Sequence, residues 1–298
     1  CETGTMQTAR ALSRAAGRIG PDSTRKIDTA IQVLGNRLAT SSVLAALELP
    51  TRPGVVTPLM FEHQLVDAAR AAKARIVLPE GAEPRILEAA RQVRERGIAE
   101  LVLLGDRSAI EQANRRVGLD LGEVTVIDPA NSPLRLAFAQ EYARLRAHKG
   151  VTVEMAADAV VDPSYFGTLM VHGGHADGMV SGSITTTAAT VRPALEIVRT
   201  APGVSIVSSV FLMCLADRVL VYGDCAINPD PNADQLADIA ISSAQTAAQF
   251  GIEPRVAMLS YSTGGSGSGA DVEKVREATA LVRERAPELL IEGQIGRA

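Results

Sequence analysis

The stretch that decides the fold runs from Arg75 to Leu104 and reads RIVLPEGAEPRILEAARQVRERGIAELVLL. It starts and ends with short apolar runs, residues 75–79 and 101–104, and between them Pro84 opens a helical pattern that continues to about Arg96. Proline is favoured in the first turn of a helix, and short apolar runs bounded by turn residues are typical of strands buried on both faces. The stretch therefore predicts a β-α-β unit with parallel strands.

The same alternation continues along the chain and predicts an α/β fold with a parallel sheet. A helix over about 108–116, a strand over 124–127 and a helix over about 133–147 come next. The second half is less regular: we expect a strand over 177–182, a helix over 191–200 and a strand pair over 204–215 and 218–222. A helix over 232–250, a strand over 255–260, a helix over 271–285 and a strand from 289 complete the prediction.

The amino-acid composition and net charge limit the kinds of molecule that the protein can bind. The 298 residues are 46% hydrophobic but only 3% aromatic, so the core must consist of aliphatic side chains, and the net charge is −4. Mild acidity argues against nucleic acid or an anionic membrane as a bulk electrostatic partner, and no apolar run reaches the length of a membrane span. The cysteines Cys1, Cys214 and Cys225 show no disulfide spacing, which predicts reduced thiols in a cytoplasm. Cys214, in an apolar run, is expected to be a buried small hydrophobe.

The opening segment differs from the rest. Ile27, Ile31, Leu34 and Leu38 recur at helical spacing, with Asp22 or Ser23 as a possible N-cap. Prolines then break the pattern over residues 50–58. We interpret residues 1–57 as the tail of a preceding domain plus a linker, and we expect both ends of the chain to be cuts.

Three polar loops or helix ends are candidates for ligand binding at the carboxyl ends of strands, where open α/β sheets bind ligands. The first, residues 181–187, is followed by Thr190 and Arg192. Its hydroxyl and backbone N–H groups beside an oncoming helix predict a cradle for an oxyanion, and Arg192 is placed to hold a phosphate by two parallel hydrogen bonds. A Ser/Thr-rich helix cap with an exposed arginine is the structural alternative.

The other two candidates are a glycine- and serine-rich loop and a basic helix end. Residues 260–269 follow an apolar strand and precede a helix, but match neither a Walker P-loop nor G-x-G-x-x-G, so a flexible loop is the alternative to phosphate binding. The basic residues Arg144, Arg146, His148 and Lys149 either hold a distant phosphate of a nucleotide or simply complement the helix dipole. His172 and His175 flank two glycines, a weak metal motif.

Five ordered motifs resemble phosphate acetyltransferase, over residues 57–293. They are Ile76-Val77-Leu78-Pro79-Glu80-Gly81 with Arg85, Leu145-Arg146-Ala147-His148-Lys149-Gly150, Asp177-Gly178-Met179-Val180-Ser181-Gly182, Val191-Arg192-Pro193-Ala194, and Ala257-Met258-Leu259-Ser260-Tyr261-Ser262-Thr263. The opening segment is similar to the joint in long bacterial forms, which carry a regulatory domain before the catalytic one.

The resemblance implies two three-layer α/β/α domains around a cleft, as in the isocitrate and isopropylmalate dehydrogenases. Residues 58–203 would form most of the first domain, and 204–298 an incomplete second one. The implied reaction transfers an acetyl group between acetyl phosphate and coenzyme A by direct thiolate attack in a ternary complex, with coenzyme A as a substrate and no metal or prosthetic group. Family members associate through this module, so a homo-oligomer is expected of the full-length form.

Site residues carried over by the resemblance fall in three groups. Arg192 is the catalytic candidate, and Ser181, Gly182, Thr186 and Thr187 lie with it at the phosphate side of the cleft. Arg146 matches an arginine that holds coenzyme A. Ser260, Tyr261, Ser262 and Thr263 match a loop that lines the cleft.

Two departures from the family pattern concern the site. Thr185 and Ala189 replace a histidine and an acidic residue that many relatives have. The family's Ser-Arg pair and its aspartate base for the thiol lie beyond Ala298, so we expect this polypeptide to be poorly active or inactive and only marginally folded.

Three rival functions stay open. Phosphate butyryltransferase shares the fold and differs in the volume of its acyl pocket. A non-catalytic acetyl-CoA-sensing domain, as at the end of some malic enzymes, and a dehydrogenase that uses NAD or NADP are less favoured, because the upstream sequence and the cleft lack their features.

Overall fold

Helices and strands alternate from Pro58 to Ile295 in a computed structural model, which describes residues 56–263 and 265–296. The first half contains α1 (Pro58–Ala72), β1 (Arg75–Leu78), α2 (Pro84–Glu95), β2 (Glu100–Leu104), α3 (Arg107–Asn114), β3 (Thr125–Ile127), α4 (Arg135–Arg146), α5 (Val153–Ala159), α6 (Pro163–His172), β4 (Gly178–Met179) and α7 (Thr187–Ile197). The second half contains β5 (Val210–Cys214), β6 (Val219–Gly223), α8 (Ala233–Gln249), β7 (Arg255–Leu259), α9 (Ala270–Arg285) and β8 (Leu290–Ile295). The predictions for Cys1, the helix after residue 26 and its cap lie outside the described residues.

The first four strands form one sheet in the order β3-β2-β1-β4, and every neighbouring pair is parallel. Ile76 on β1 lies opposite Leu101 on one side and Gly178 on the other. The parallel sheet predicted from the repeated β-α rhythm is therefore confirmed. Because β1 lies inside the sheet, the loops that follow β1 and β4 are neighbours at the carboxyl edge.

Alternate side chains of the inner strands point to opposite faces of this sheet, as the two-residue period of a strand requires. Val77 and Val102 pack on one face in a cluster with Phe138 and Phe166, which come from α4 and α6. On the other face Leu103 packs in a second cluster with side chains that include Leu87 and Ile110, from α2 and α3. The result is an α/β/α layer arrangement with two separate cores.

The second half contains two small sheets. Strands β5 and β6 pair antiparallel, which confirms the predicted strand pair, and β7 and β8 pair parallel. A third core cluster, with Ala237, Met258 and Val282 among its members, joins α8 and α9 to β7. The division of the chain near residue 203 into two domains stays a prediction.

The expectation that Cys214 is buried was wrong, since the residue is exposed. It ends β5 in a two-stranded sheet with solvent-exposed positions, among them Phe211 and Tyr222, which are 55% and 51% exposed. An apolar run predicts a strand, but a sheet of two strands does not bury both faces. Among the described residues, no helix is long and apolar enough to cross a membrane.

Helix α7 begins four residues earlier than predicted, at Thr187 instead of 191, and ends at Ile197. The side chain of Thr186 caps it by accepting a hydrogen bond from the N–H of Ala189. Pro193 therefore lies inside the helix. The predicted start was wrong because Thr186 supplies a side-chain cap there, before the apolar residues of the helix.

Candidate active site

Glu80, at the carboxyl end of β1, organises the loop that follows β4. We call residues 181–187 the site loop. One carboxylate oxygen of Glu80 accepts the backbone N–H groups of Gly182 (3.2 Å) and Ser183 (2.8 Å), and the other accepts those of Ile184 (2.8 Å) and Thr185 (2.8 Å). The carboxyl group of Glu80 is thus saturated by four consecutive backbone donors.

The charge of Glu80 is stabilised in this position. Glu80 is only 8% exposed, and burial alone would raise the pKa of its carboxyl group. The hydrogen bonds from the backbone of Ile184, Ser183 and Thr185 and from the Thr185 hydroxyl outweigh burial and lower the pKa of Glu80 to about 2. Glu80 is therefore ionised at neutral pH.

This arrangement corrects one prediction. The backbone N–H groups of residues 182–185 were expected to face a ligand, but they all face Glu80. Of the loop hydroxyl groups, that of Thr185 also donates to Glu80 and that of Thr186 caps α7, whereas that of Ser181 has no partner among the described residues. Sequence analysis missed the role of Glu80, although an acidic residue directly after a buried strand was an available signal.

Arg85 also hydrogen-bonds to the site loop. Its guanidinium donates to the backbone oxygen of Ser183 (3.0 Å) and to the carboxylate of Glu83 (2.6 Å), which raises the pKa of Arg85 through the hydrogen bond and the charge of Glu83. Glu83 and Arg85 belong to the turn and helix that follow β1. The carboxylate of Glu80 and the guanidinium of Arg85, both from the segment that follows β1, therefore hold the site loop.

Arg192 lies exposed on α7, the helix into which the site loop leads. Within the described part of the chain its guanidinium has no hydrogen-bond or ion-pair partner. The hydroxyl groups of Ser181 and Thr190 are buried and also have no partner among those residues. Buried polar atoms are nearly always hydrogen-bonded in native proteins, so these unpartnered hydroxyls, in the same loop-helix unit as Arg192, are suited to a polar ligand.

Glu196, one helical turn after Arg192, is the centre of a polar network. Its carboxylate accepts the hydroxyl groups of Tyr142 (2.7 Å) and Tyr165 (2.9 Å) and lies 3.5 Å from the guanidinium of Arg146. Burial, followed by the negative charge and hydrogen bond of Glu196, raises the pKa of both tyrosines. The network joins α4, α6 and α7.

Arg146 therefore has a structural partner as well as its predicted role toward coenzyme A. Its side chain keeps 20% of its surface exposed, and its Nε atom is buried with no partner among the described residues. The guanidinium of Arg144 lies 2.7 Å from the carboxylate of Glu141, so this residue of the basic helix end has a partner within its own helix. His148 and Lys149 are exposed.

The two histidines considered for a metal serve other contacts. Nε2 of His172 lies 3.2 Å from the Glu141 carboxylate, and the ring of His175 packs edge-on against Phe138 at 5.6 Å. No group of three or more possible metal-ligating side chains occurs in residues 56–263 and 265–296.

The loop over residues 260–269 folds back on itself. The hydroxyl of Ser266 accepts the backbone N–H of Thr263 at 3.1 Å and lies 3.3 Å from the hydroxyl of Ser262, which is buried. Tyr261 is 70% exposed, although its hydroxyl donates to the backbone oxygen of Ser268. The hydroxyl of Ser260 accepts the N–H of Ser262. No hydrogen bond or ion pair in the described structure joins residues 260–263 to the site loop.

A second carboxylate with several hydrogen bonds, that of the partly buried Asp224, follows β6. It accepts the hydroxyl of Ser209 (2.5 Å), the backbone N–H groups of residues 226–228 and the side-chain amide of Asn228. Burial would raise the pKa of Asp224, but these hydrogen bonds lower it to about 2. Cys225 lies beside the cluster, with its sulfur 3.3 Å from the Ser209 hydroxyl. Apart from the adjacency of Asp224 and Cys225, no sequence pattern indicates this cluster.

The sequence signature of the family described as phosphate acetyl/butaryl transferase matches residues 60–296. The chain belongs to this family. Phosphate acetyltransferases from Synechocystis sp. and Nitratidesulfovibrio vulgaris are 54% and 53% identical to it over 295 and 291 residues, in each case 98% of the chain. A phosphotransacetylase structure from Streptococcus pyogenes is 38% identical, with a TM-score of 0.77 over 80% of this chain and 73% of that one.

The chain spans 42% and 41% of the length of these two curated relatives. Family membership and the α/β fold thus rest on nearly the whole chain. The site loop, Arg192, Arg146 and residues 260–263 all lie inside the matched region.

Proposed function

We propose that the protein takes part in acetyl transfer between acetyl phosphate and coenzyme A, giving acetyl-CoA and phosphate. One observation carries the proposal: in a member of this family, the exposed guanidinium of Arg192 has no partner among the described residues and shares the loop-helix unit with the unpartnered hydroxyls of Ser181 and Thr190. A doubly charged phosphate group needs such donors.

In the proposed reaction, the coenzyme A thiol loses its proton and attacks the acetyl carbonyl while both substrates are bound. An unperturbed thiol has a pKa of about 8.5, so a base is required at neutral pH. Arg192 stabilises the charge of the departing phosphate, with hydroxyl donors from Ser181, Thr186 and Thr187 and with Gly182 giving the loop its bend, at a φ of 112°. No resident metal or prosthetic group is part of the proposal.

Coenzyme A is assigned to the side of Arg146, which is partly exposed and already orientated by Glu196. Residues 260–263 line the other wall of the cleft between two α/β domains, in an arrangement like that of the isocitrate and isopropylmalate dehydrogenases. A cytoplasmic location and a homo-oligomer in the full-length form belong to the same proposal.

The test is formation of acetyl-CoA from acetyl phosphate and coenzyme A, followed by thioester absorbance. It is run on this chain and on a polypeptide that continues through the family's complete catalytic module. Arg192→Ala serves as the matched inactive variant. Formation that depends on both substrates and is lost in the variant supports the proposal, and the shorter chain decides whether our expectation of poor activity holds.

Butyryl phosphate in place of acetyl phosphate separates the two activities that the family description names. Binding of acetyl-CoA without any turnover, in either polypeptide, would overturn the catalytic proposal in favour of a sensing domain. An absorbance change with NAD would favour the dehydrogenase alternative.

A further inference from the structure

The carboxylate of Glu80 accepts a hydrogen bond from the backbone of every residue of the site loop from 182 to 185. These residues span the distance between Ser181, at the end of β4, and Thr186, the cap of α7. The conformation of the site loop therefore depends on one side chain from a different strand.

We propose that Glu80 is a positioning residue for phosphate recognition: its carboxylate fixes the site loop so that the loop hydroxyls and Arg192 converge on one anion. The inference rests on the proposed function, because the anion is the phosphate of that reaction. It goes further in assigning a role to a residue that makes no contact with the substrate.

The geometry distinguishes this role from general stabilisation of the fold. Among the described residues, the hydrogen-bond partners of the Glu80 carboxylate all lie in the site loop. The backbone oxygen of Glu80 accepts the N–H of Glu83, which caps α2. Its two oxygen atoms divide four N–H donors evenly, at 2.8 to 3.2 Å. Only a group with two acceptor oxygens can satisfy this set, since an amide has one oxygen and would place its NH₂ group against two N–H donors.

The negative charge of the Glu80 carboxylate also bears on how a substrate phosphate can bind nearby. A negative charge at this place would repel a substrate phosphate if its oxygens faced the cleft. Because four donors and the Thr185 hydroxyl point at the carboxylate, its charge is neutralised locally. Thr185 thus helps to hold the loop through both its backbone N–H and its hydroxyl group.

The decisive variant is Glu80→Gln, compared with Glu111→Gln as a matched control. Glu111 pairs only with Arg107 on the exposed face of α3, so its substitution removes the same charge without touching the site loop. Glu80→Asp keeps a carboxylate but shortens the reach, and should restore part of the effect.

Two measurements are made on the 298-residue chain. Hydrogen exchange followed by mass spectrometry compares a peptide that covers 180–186 with peptides that cover β1 and β2. Calorimetric titration with inorganic phosphate measures anion affinity. In Glu80→Gln we expect exchange of the site loop to be roughly tenfold faster and phosphate binding roughly tenfold weaker, while the strand peptides stay protected, because buried donors lose a charged acceptor.

Each outcome bears on the inference. Equal loss of protection in the loop and in the strands would overturn it, because Glu80 would then act on the whole fold. Unchanged loop exchange, or phosphate affinity equal to that of the control despite a loosened loop, would overturn it as well. If the unsubstituted chain binds no phosphate, the proposed function fails together with the inference; if it binds and Glu80→Gln binds equally well, the inference alone fails.

Discussion

Replacing Glu196 by alanine should destabilise the protein strongly, because three partners lose their acceptor together. The hydroxyl groups of Tyr142 and Tyr165 donate to it at 2.7 and 2.9 Å, and the guanidinium of Arg146 lies 3.5 Å away. Each buried hydroxyl left without an acceptor costs about 1–3 kcal/mol. The ion pair adds little, about 1 kcal/mol, since both of its side chains keep roughly a fifth of their surface exposed.

These contributions overlap, so we expect Glu196→Ala to lower the free energy of unfolding by about 3 kcal/mol. For a unit of this size that corresponds to a fall in melting temperature of about 6–12 °C. Glu196→Gln keeps an oxygen acceptor for the tyrosines and loses only the charge, so its cost should be about 1 kcal/mol. Urea unfolding followed by circular dichroism measures both.

A double-mutant cycle between Arg146→Met and Glu196→Gln then separates the two roles of Arg146. If the arginine only supports the fold, both variants weaken stability and neither alters coenzyme A affinity beyond that effect. If it also holds coenzyme A, Arg146→Met alone lowers that affinity. A cost below about 1 kcal/mol for Glu196→Ala would refute the reasoning from buried hydroxyls.

Three further predictions follow from single contacts. Glu80 and Asp224 have pKa values lowered to about 2, so their contribution to stability is complete above about pH 4.5 and is lost as the pH falls toward 2. Urea midpoints at pH 7 and pH 3 measure this loss of stability, and equal midpoints would contradict the prediction. A methyl group at Gly81 would lie 2.6 Å from a backbone oxygen of β2, so Gly81→Ala should lower the free energy of unfolding by about 1–3 kcal/mol. Gly265 has open space around it, so Gly265→Ala should leave that free energy almost unchanged in the same assay. Arg192→Lys should keep the melting temperature but weaken phosphate binding about tenfold, since lysine lacks the planar fork of donors, and equal binding by calorimetry would count against a bidentate contact.

The strands and most helices were predictable because their signals are local. Short apolar runs located β1 and β2, and a proline after a turn located the start of α2. Errors arose where burial depends on how many strands a sheet has. Cys214 has the sequence environment of a core residue, but its sheet has only β5 and β6 in the described structure, so the residue is exposed.

The position of the candidate site stays a prediction, and its internal contacts could not be predicted from the sequence. Periodicity and the resemblance both led to the loop after β4 and to Arg192. Which donors remain for a ligand depends on contacts across about a hundred residues, such as that between Glu80 and Ser183. Local patterns carry no information on such pairs, so the backbone N–H groups of the loop appeared available when they were not.

Within the described residues Arg192 has no partner, because the carboxylate one helical turn further along α7 is engaged elsewhere. Residues four apart on a helix face the same side, so Glu196 is the carboxylate expected to pair with Arg192 in an isolated helix. In the protein, two tyrosine hydroxyls and Arg146 bind that carboxylate instead, on the side where α7 meets α4 and α6. The carboxylate of Glu80 is likewise saturated, by backbone donors of the loop that leads into α7. Both carboxylates therefore hold the helix or its preceding loop in place, and the proposed role of Arg192 toward an anion rests on its having no partner among the described residues.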